Sequence, residues 1–143
     1  WADTEITRWR DCLYLSATDA GMPEDWQCFW NGDSSFTMPN GDCWGFESRD
    51  PPTSIASLVQ NAFGSNLSVS LRKGGENIRL ANREHHSSVK NCLQELGIPP
   101  WERRRLPLLF TAAGECLAVG DVLLSARFEA LCQSYDIRFR HIV

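Results

Sequence analysis

The strongest constraint on the fold is a short helix with a built-in stop. Apolar side chains recur at i, i+3, i+4 and i+7 over 89–96, a spacing that predicts a helix with one apolar face. Ser87 or Ser88 can cap its start, and Gly97 can supply the left-handed residue that ends it. Lys90 lies off the apolar face, so we expect it to point into solvent.

Prolines follow this stop and frame a run of arginines. Pro100 can occupy the first position of a second short helix over 101–106, because a proline there gives up no helical hydrogen bond, and Pro107 ends that helix. Successive helical residues point about 100° apart, so the three arginines at 103–105 cannot all face one ligand. We expect Trp101 to pack into the core.

Short strands and tight turns account for most of the remaining chain. The predicted strands are 5–9 and 12–15 around Arg10-Asp11, 36–39 and 43–46 around Asn40-Gly41, 67–71, 78–80, 108–110, 116–119, 122–124 and 137–141. Residues 18–35 are rich in turn-forming types and are predicted to be loop, whereas 55–63 fits either a helix or a strand. The predicted fold class is α+β. It is a single β-rich domain over 1–143, built of short antiparallel strands and hairpins with a small helical insert.

The segment 67–80 is predicted to be a two-stranded ribbon. Apolar residues alternate with polar ones over 67–71 and again over 78–80, and the turn between them is Lys73-Gly74-Gly75-Glu76. This period places Arg72 and Arg79 together on the exposed face of the ribbon.

The net charge of −4 conceals an uneven distribution along the chain. Residues 1–71 carry three basic and ten acidic groups, 72–105 carry eight basic and four acidic groups, and 106–143 carry three basic and four acidic groups. A basic middle in an acidic chain indicates a local anionic partner, although a solvated basic face without a partner would show the same pattern.

Arginine, lysine and histidine side chains in this basic middle are the candidate ligand-binding groups. Guanidinium groups bind phosphates in a bidentate manner, which suits an anionic partner. The candidate binding residues are Arg72, Arg79, Arg83, His85, Lys90, Arg103, Arg104 and Arg105.

Catalytic and metal-binding patterns are absent from the sequence. It contains no phosphate-binding glycine loop of the Walker or dinucleotide type and no nucleophile elbow. The side chains of the adjacent His85 and His86 should point apart, which disfavours a metal pair. The six cysteines form no C-x-x-C pair, so we expect buried free thiols and a reducing, cytoplasmic location. We therefore expect no catalytic residue, no metal and no membrane span.

The run over 71–110 resembles the C-terminal domain of tRNA(Ile)-lysidine synthetase. That family typically shows an R-x-G-G-[ED] turn, a helix with a lysine that ends L-G-[IV]-P-P-W, an arginine soon after, and P-L-L-[FY]. The matching residues are Arg72-Lys73-Gly74-Gly75-Glu76, Lys90, Leu96-Gly97-Ile98-Pro99-Pro100-Trp101, Arg103 and Pro107-Leu108-Leu109-Phe110. The resemblance centres on 67–143, whereas 1–66 forms a β-rich N-terminal part. Asn91 stands where many members have a second lysine, so the basic surface of this chain has fewer cations than theirs.

The resemblance implies a role in tRNA binding without chemistry. In that family an N-terminal domain uses ATP to activate the wobble cytidine of isoleucine tRNA, and lysine then attacks to give lysidine. No S-G-G-x-D-S loop of that domain occurs here, and the chain begins at Trp1. The resemblance therefore implies an excised C-terminal part that needs no cofactor. It would position the tRNA, at its acceptor region, for the catalytic domain of the same polypeptide.

Two other kinds of function fit the same residues. The helix, the proline turn and the second helix could form a DNA-binding helix-turn-helix, which would prefer duplex DNA over tRNA. The segment could instead dock a protein, either a second copy in a homodimer or the catalytic domain, and such docking would be insensitive to salt.

Overall fold

The computed structural model describes residues 4–9, 12–17, 23–50, 54–64 and 66–142. Within these residues the backbone forms twelve short strands and four short helices. The strands are β1 (Thr4–Trp9), β2 (Cys12–Ala17), β3 (Gln27–Trp30), β4 (Phe36–Thr37), β5 (Cys43–Ser48), β6 (Leu67–Ser70), β7 (Asn77–Ile78), β8 (Ser87–Ser88), β9 (Leu108–Phe110), β10 (Cys116–Val119), β11 (Leu123–Leu124) and β12 (Ile137–Ile142). The helices are α1 (Ile55–Phe63), α2 (Val89–Glu95), α3 (Pro100–Arg103) and α4 (Ala126–Ser134). None of the described helices is long and apolar enough to cross a membrane.

The first two strands form a hairpin of their own. β1 and β2 pair antiparallel from Thr4 opposite Ala17 to Trp9 opposite Cys12, which confirms the predicted pairing. The turn that was predicted at Arg10-Asp11 lies outside the described residues.

The largest sheet runs in the order β3-β6-β9-β10-β7-β8, with β11 paired to β10. The predicted ribbon over 67–80 is wrong, because β6 pairs with β3 and β9 while β7 pairs with β10 and β8. The β9–β10 hairpin lies between β6 and β7. This arrangement buries Val69 in one core cluster with Leu109, and Ile78 in a second cluster with Leu108. The free energy gained by burying apolar surface on both sides of the inserted hairpin outweighs the tendency of the local turn to pair the two strands.

The third sheet pairs the last strand of the chain with the hairpin over 36–48, in the order β12-β5-β4. The predicted hairpin at Asn40-Gly41 is confirmed: Gly41 has a φ of +93°, and the Met38 amide donates to the Asp42 carbonyl at 2.8 Å. The predicted closing strand extends to Ile142, and it pairs with β5 along its whole length.

The loop predicted over 18–35 is only partly correct, because residues 27–30 form β3. This strand pairs with β6 at the edge of the large sheet. Trp30 is buried, and its ring lies 5.1 Å from the ring centres of both Phe36 and Phe46. Tertiary pairing therefore makes a strand within a segment whose composition favours turns. Residues 18–22 lie outside the described residues.

Two further helices complete the fold. The ambiguous segment 55–63 is the helix α1, and the hydroxyl of Ser54 caps it by accepting from the Ser57 amide. No prediction covered α4, which begins after the buried Ser125 and packs the fully buried Phe128 into the core. Together with the strands, these helices confirm the predicted α+β class.

The helix α2 has the predicted start and stop, although its apolar face is shorter than predicted. Ser88 is the residue that caps it, and Gly97 has a φ of +73°. The helix ends at Glu95, so Leu96 falls past the last turn and is 55% exposed, and its predicted place on the buried face is wrong.

The second helix over 101–106 is shorter than predicted. It spans Pro100–Arg103, with Pro100 at its first position as expected. Arg104 and Arg105 fall in the turn that follows. Trp101 is buried, with 7% of its surface exposed, which confirms its expected place in the core.

Candidate nucleic-acid interface

The turn between β6 and β7 is held by its own glutamate. The carboxylate of Glu76 accepts hydrogen bonds from the Lys73 amide at 2.8 Å and from the Gly74 amide at 3.0 and 3.1 Å. Gly74 and Gly75 have φ values of +107° and +80°, which glycine adopts without strain. The Glu76 carbonyl in turn accepts from the Val89 amide at 3.0 Å, which ties the turn to the start of α2.

A cleft of about 860 Å³ lies on one side of this turn, and we call it the arginine cleft. It brings together three segments that are distant in sequence: residues 24–25 before β3, residues 71–74 after β6, and residues of α3 with the turn that follows it. Its lining residues are Glu24, Asp25, Leu71, Arg72, Lys73, Gly74, Pro100, Arg103 and Arg104. Four cations therefore face two carboxylates, which leaves the arginine cleft with an excess of positive charge.

Arg103 is braced within the wall of the arginine cleft. Its Nε donates to the Ile98 carbonyl at 2.6 Å, across the Gly97–Pro99 turn that joins α2 to α3. The side chain is half-buried, whereas that of Arg104 is exposed. The bond fixes where the guanidinium lies, so little entropy is lost if an anion binds there.

A second cleft of about 550 Å³ also includes this turn, and we call it the Phe110 cleft. Gly74 lines both clefts, so the two clefts adjoin at the turn. The lining residues of the Phe110 cleft are Gly74, Gly75, Glu76, Asn77, Arg79, His86, Phe110, Ala113, Gly114, Glu115 and Cys116.

The two clefts collect half of the predicted binding residues. Arg72, Arg103 and Arg104 line the arginine cleft, and Arg79 lines the Phe110 cleft. Among the described residues, the other four lie elsewhere: Arg83, His85, Lys90 and Arg105. Their role in binding stays a prediction.

Arg83 is occupied by neighbours on its own surface. Its guanidinium donates to the Glu95 carboxylate at 3.0 Å and to the Ser87 hydroxyl at 3.2 Å. Lys90 and His85 are exposed, as the helix pattern predicted for Lys90. An exposed pair such as Arg83–Glu95 contributes little to stability and can open toward a ligand.

Sequence reasoning missed several residues of the two clefts. Lys73 was within the recognised turn motif but was not chosen, although it lines the arginine cleft. Asn77, His86 and Phe110 line the Phe110 cleft together with Arg79. The aromatic residue that closes the P-L-L-[FY] motif was the available signal for Phe110. Nothing local in the sequence placed Glu24 and Asp25 beside Arg72.

Five cysteines, at positions 28, 43, 92, 116 and 132, have buried or half-buried thiols. Cys28, Cys43, Cys92, Cys116 and Cys132 are free, and burial raises the pKa of Cys116 and of Cys132 from 9.0 to about 12. Within the described part of the chain, no three His, Cys, Asp or Glu side chains are placed to hold a metal ion. The cationic and polar side chains that line the two clefts can bind anions and polar groups.

Comparison with known proteins identifies the family. The model of the TilS substrate C-terminal domain matches residues 67–140, which is just over half of the chain. The chain belongs to this family. The match covers the Glu76 turn, α2, α3 and the β9–β10 hairpin, and it confirms the resemblance seen in the sequence.

Several tRNA(Ile)-lysidine synthases align along nearly the whole chain. A tRNA(Ile)-lysidine synthase of Xanthomonas campestris pv. campestris (strain 8004) and one of Xylella fastidiosa (strain Temecula1) are each 39% identical over 98% of it. The synthase of Methylococcus capsulatus is 27% identical over 96%. In each case the chain spans about 30% of the length of the relative.

The fold of the TilS C-terminal domain is the fold found here. A crystal structure of that domain superimposes with a TM-score of 0.56. It covers 82% of this chain and 99% of the crystallised chain, at 21% sequence identity. The mixed arrangement of short strands and helices is therefore shared.

Proposed function

We propose that this chain is the tRNA-holding part of a tRNA(Ile)-lysidine synthase, and that the arginine cleft binds the phosphate backbone of isoleucine tRNA near its acceptor region. The observation that supports this most is the meeting of Arg72 and Lys73 with Arg103 and Arg104 across one cleft. Arginine is suited to phosphate because its planar fork can form two parallel hydrogen bonds. The net acidity of the chain would discourage binding of nucleic acid elsewhere on its surface.

In this proposal the chemistry takes place in another part of the polypeptide. The chain spans about 30% of its relatives, and ATP and lysine would be used by a catalytic domain outside this region. The chain itself would need no cofactor and no metal. We expect the isolated chain to release no pyrophosphate from ATP in the presence of tRNA and lysine, and release above the background without protein would contradict this division of roles.

The binding test compares cleft variants with a matched control. Arg72→Gln and Arg104→Gln each remove one charge from the arginine cleft, whereas Arg138→Gln removes one from the exposed face of β12. We expect each cleft variant to weaken binding of a labelled isoleucine tRNA transcript about 3- to 10-fold at low salt, as one phosphate contact is lost. The control should bind within about 2-fold of the parent. Equal binding by all four proteins would contradict the assignment.

The helix-turn-helix alternative is disfavoured by the shape of α3. This helix has four residues, and Trp101 within it is buried. A recognition helix must instead present several side chains to the major groove. Competition by a duplex DNA of the same length as the tRNA acceptor arm tests the alternative, because a DNA reader would prefer that competitor to tRNA.

The docking alternative, including a homodimer, makes an opposite prediction about salt. A docked protein surface would persist at high ionic strength, whereas phosphate contacts weaken as counterions compete. Sedimentation of the chain alone at 0.1 and 0.5 M salt measures self-association directly. Salt-resistant dimers combined with no tRNA binding would favour docking over our proposal.

A further inference from the structure

The Phe110 cleft differs in chemistry from the arginine cleft. The arginine cleft is lined by several cations, whereas the Phe110 cleft is lined by an aromatic ring. Phe110 is half-buried and packs against the second core cluster. The small residues Gly75, Ala113 and Gly114 also line the Phe110 cleft, so no large side chain stands at these positions. A cation, Arg79, lies exposed in the same cleft, together with the exposed side chains of Asn77 and His86.

Both carboxylates of the Phe110 cleft are already engaged. Glu76 accepts from the amides of Lys73 and Gly74, and Glu115 forms an ion pair with Arg127. The ion pair with Arg127 offsets the charge of Glu115, whereas Glu76 keeps its charge because its donors are neutral backbone amides. Arg79 is the cation that the Phe110 cleft offers to a ligand, and Asn77 and His86 add polar contacts.

We propose that the Phe110 cleft binds one unpaired nucleotide of the RNA strand, with its base against Phe110 and its phosphate at Arg79. This inference rests on the proposed function and adds a subsite to it. Every nucleobase has a flat face that stacks on an aromatic ring, and unpaired RNA is commonly recognised in this way. A volume of about 550 Å³ lies within the range of small-molecule sites and is far too small to admit a duplex.

The position of the Phe110 cleft connects it to the arginine cleft. Both clefts include Gly74, and a Cβ added at Gly74 or Gly75 would meet nothing within 4 Å. The space above the turn where the clefts adjoin is therefore open. In this proposal a strand whose phosphates lie along Arg72 and Arg104 crosses the turn, and one of its following bases lies beside Phe110.

The test uses two RNA probes on the intact chain. One is a labelled single-stranded hexamer, and the other is a blunt-ended duplex of twelve base pairs. Phe110→Leu should weaken the hexamer about 5- to 30-fold, because stacking on one base contributes about 1–2 kcal/mol. The duplex should change less than about 2-fold. Phe29→Leu is the matched aromatic control, since Phe29 is 73% exposed on β3 and lies outside both clefts.

A second variant and a spectroscopic signal guard against a folding defect in Phe110→Leu. Arg79→Gln changes an exposed side chain, so it should leave the melting temperature unchanged while weakening the hexamer about 3- to 10-fold through its phosphate contact. A 2-aminopurine in the hexamer should lose fluorescence when it binds the parent. That quenching should be lost with Phe110→Leu.

The outcomes separate this inference from the proposed function. If Phe110→Leu and Arg79→Gln bind the hexamer as the parent does, while Arg72→Gln weakens both RNAs, the nucleotide subsite is wrong and tRNA holding stands. If the parent binds neither RNA, the proposed function fails as well. A free nucleoside monophosphate that bound as tightly as the hexamer would overturn the assignment to an RNA strand.

Discussion

Arg103 donates from its Nε to the backbone carbonyl of Ile98, with 2.6 Å between the two atoms. The same side chain lines the arginine cleft, so one residue both braces the turn between α2 and α3 and contributes charge to the candidate site. Arg103 is therefore expected to contribute to stability as well as to the charge of the cleft.

We predict that Arg103→Gln lowers both stability and tRNA binding, whereas Arg138→Gln, at an exposed position of β12, lowers neither. The Arg103 bond to a part-buried carbonyl is charge-assisted, and losing such a bond typically costs about 1.5–3 kcal/mol. Urea unfolding of both variants, beside anisotropy with labelled tRNA, measures the two effects. Equal stability of the two variants would show that the brace is unimportant.

We predict that Glu76→Gln destabilises the domain by about 1–2 kcal/mol, because an amide oxygen replaces a carboxylate that accepts from two backbone amides. The effect should reach the start of α2 through the bond from the Val89 amide to the Glu76 carbonyl. The hydrogen-exchange rates of the Gly74 and Val89 amides measure this local loss of stability. Glu84→Gln, at an exposed loop position, is the control and should change neither exchange nor unfolding.

We predict that tRNA binding falls with salt at a log–log slope of about −2 to −4, since three or four cleft cations would each release somewhat less than one counterion. Arg72→Gln should reduce that slope by about one. The variant Lys90→Ala, on the exposed side of α2, tests whether the RNA interface extends beyond the two clefts. A reduction of about one would place Lys90 on the RNA, and an unchanged slope would remove it from the site.

We predict that the domain loses stability as pH rises above 9. Burial raises the pKa of Cys116 and Cys132 from 9.0 to about 12, so the folded state keeps protons that the unfolded state releases. This stabilisation is complete below pH 9 and is lost between pH 9 and 12, at about 1.4 kcal/mol per pH unit for each thiol. The double variant Cys116→Ala, Cys132→Ala should show a flatter fall of the unfolding free energy over this range. An identical fall would contradict the assignment to these thiols.

Local chemistry in the sequence was sufficient for the short-range features. The capping serine and the glycine stop of α2, the proline at the start of α3 and the Asn40-Gly41 turn each depend on a few neighbouring residues, and each was predicted correctly. The burial of Trp101 was also predicted. The family motif over 71–110 lies within one continuous stretch, so it could be read without the fold.

Long-range pairing decided what the sequence could not. The strand β3 exists because β6 lies beside it, and the β9–β10 hairpin separates two strands that sequence alternation had paired. These choices depend on which buried surfaces fit together, for which a local pattern carries no information.

The candidate site also depends partly on local sequence and partly on tertiary packing. The basic residues were visible in the sequence as charges within one short segment. Their grouping was not visible, because the fold brings Arg72 into one cleft with Arg103 and Arg104, and places Arg79 with Phe110 in a second cleft that adjoins it at Gly74. It also directs Arg83 to Glu95. The sequence therefore determined which chemical groups are available, and only tertiary packing decided which of them share a cleft, because side chains meet through folded contacts rather than through sequence proximity.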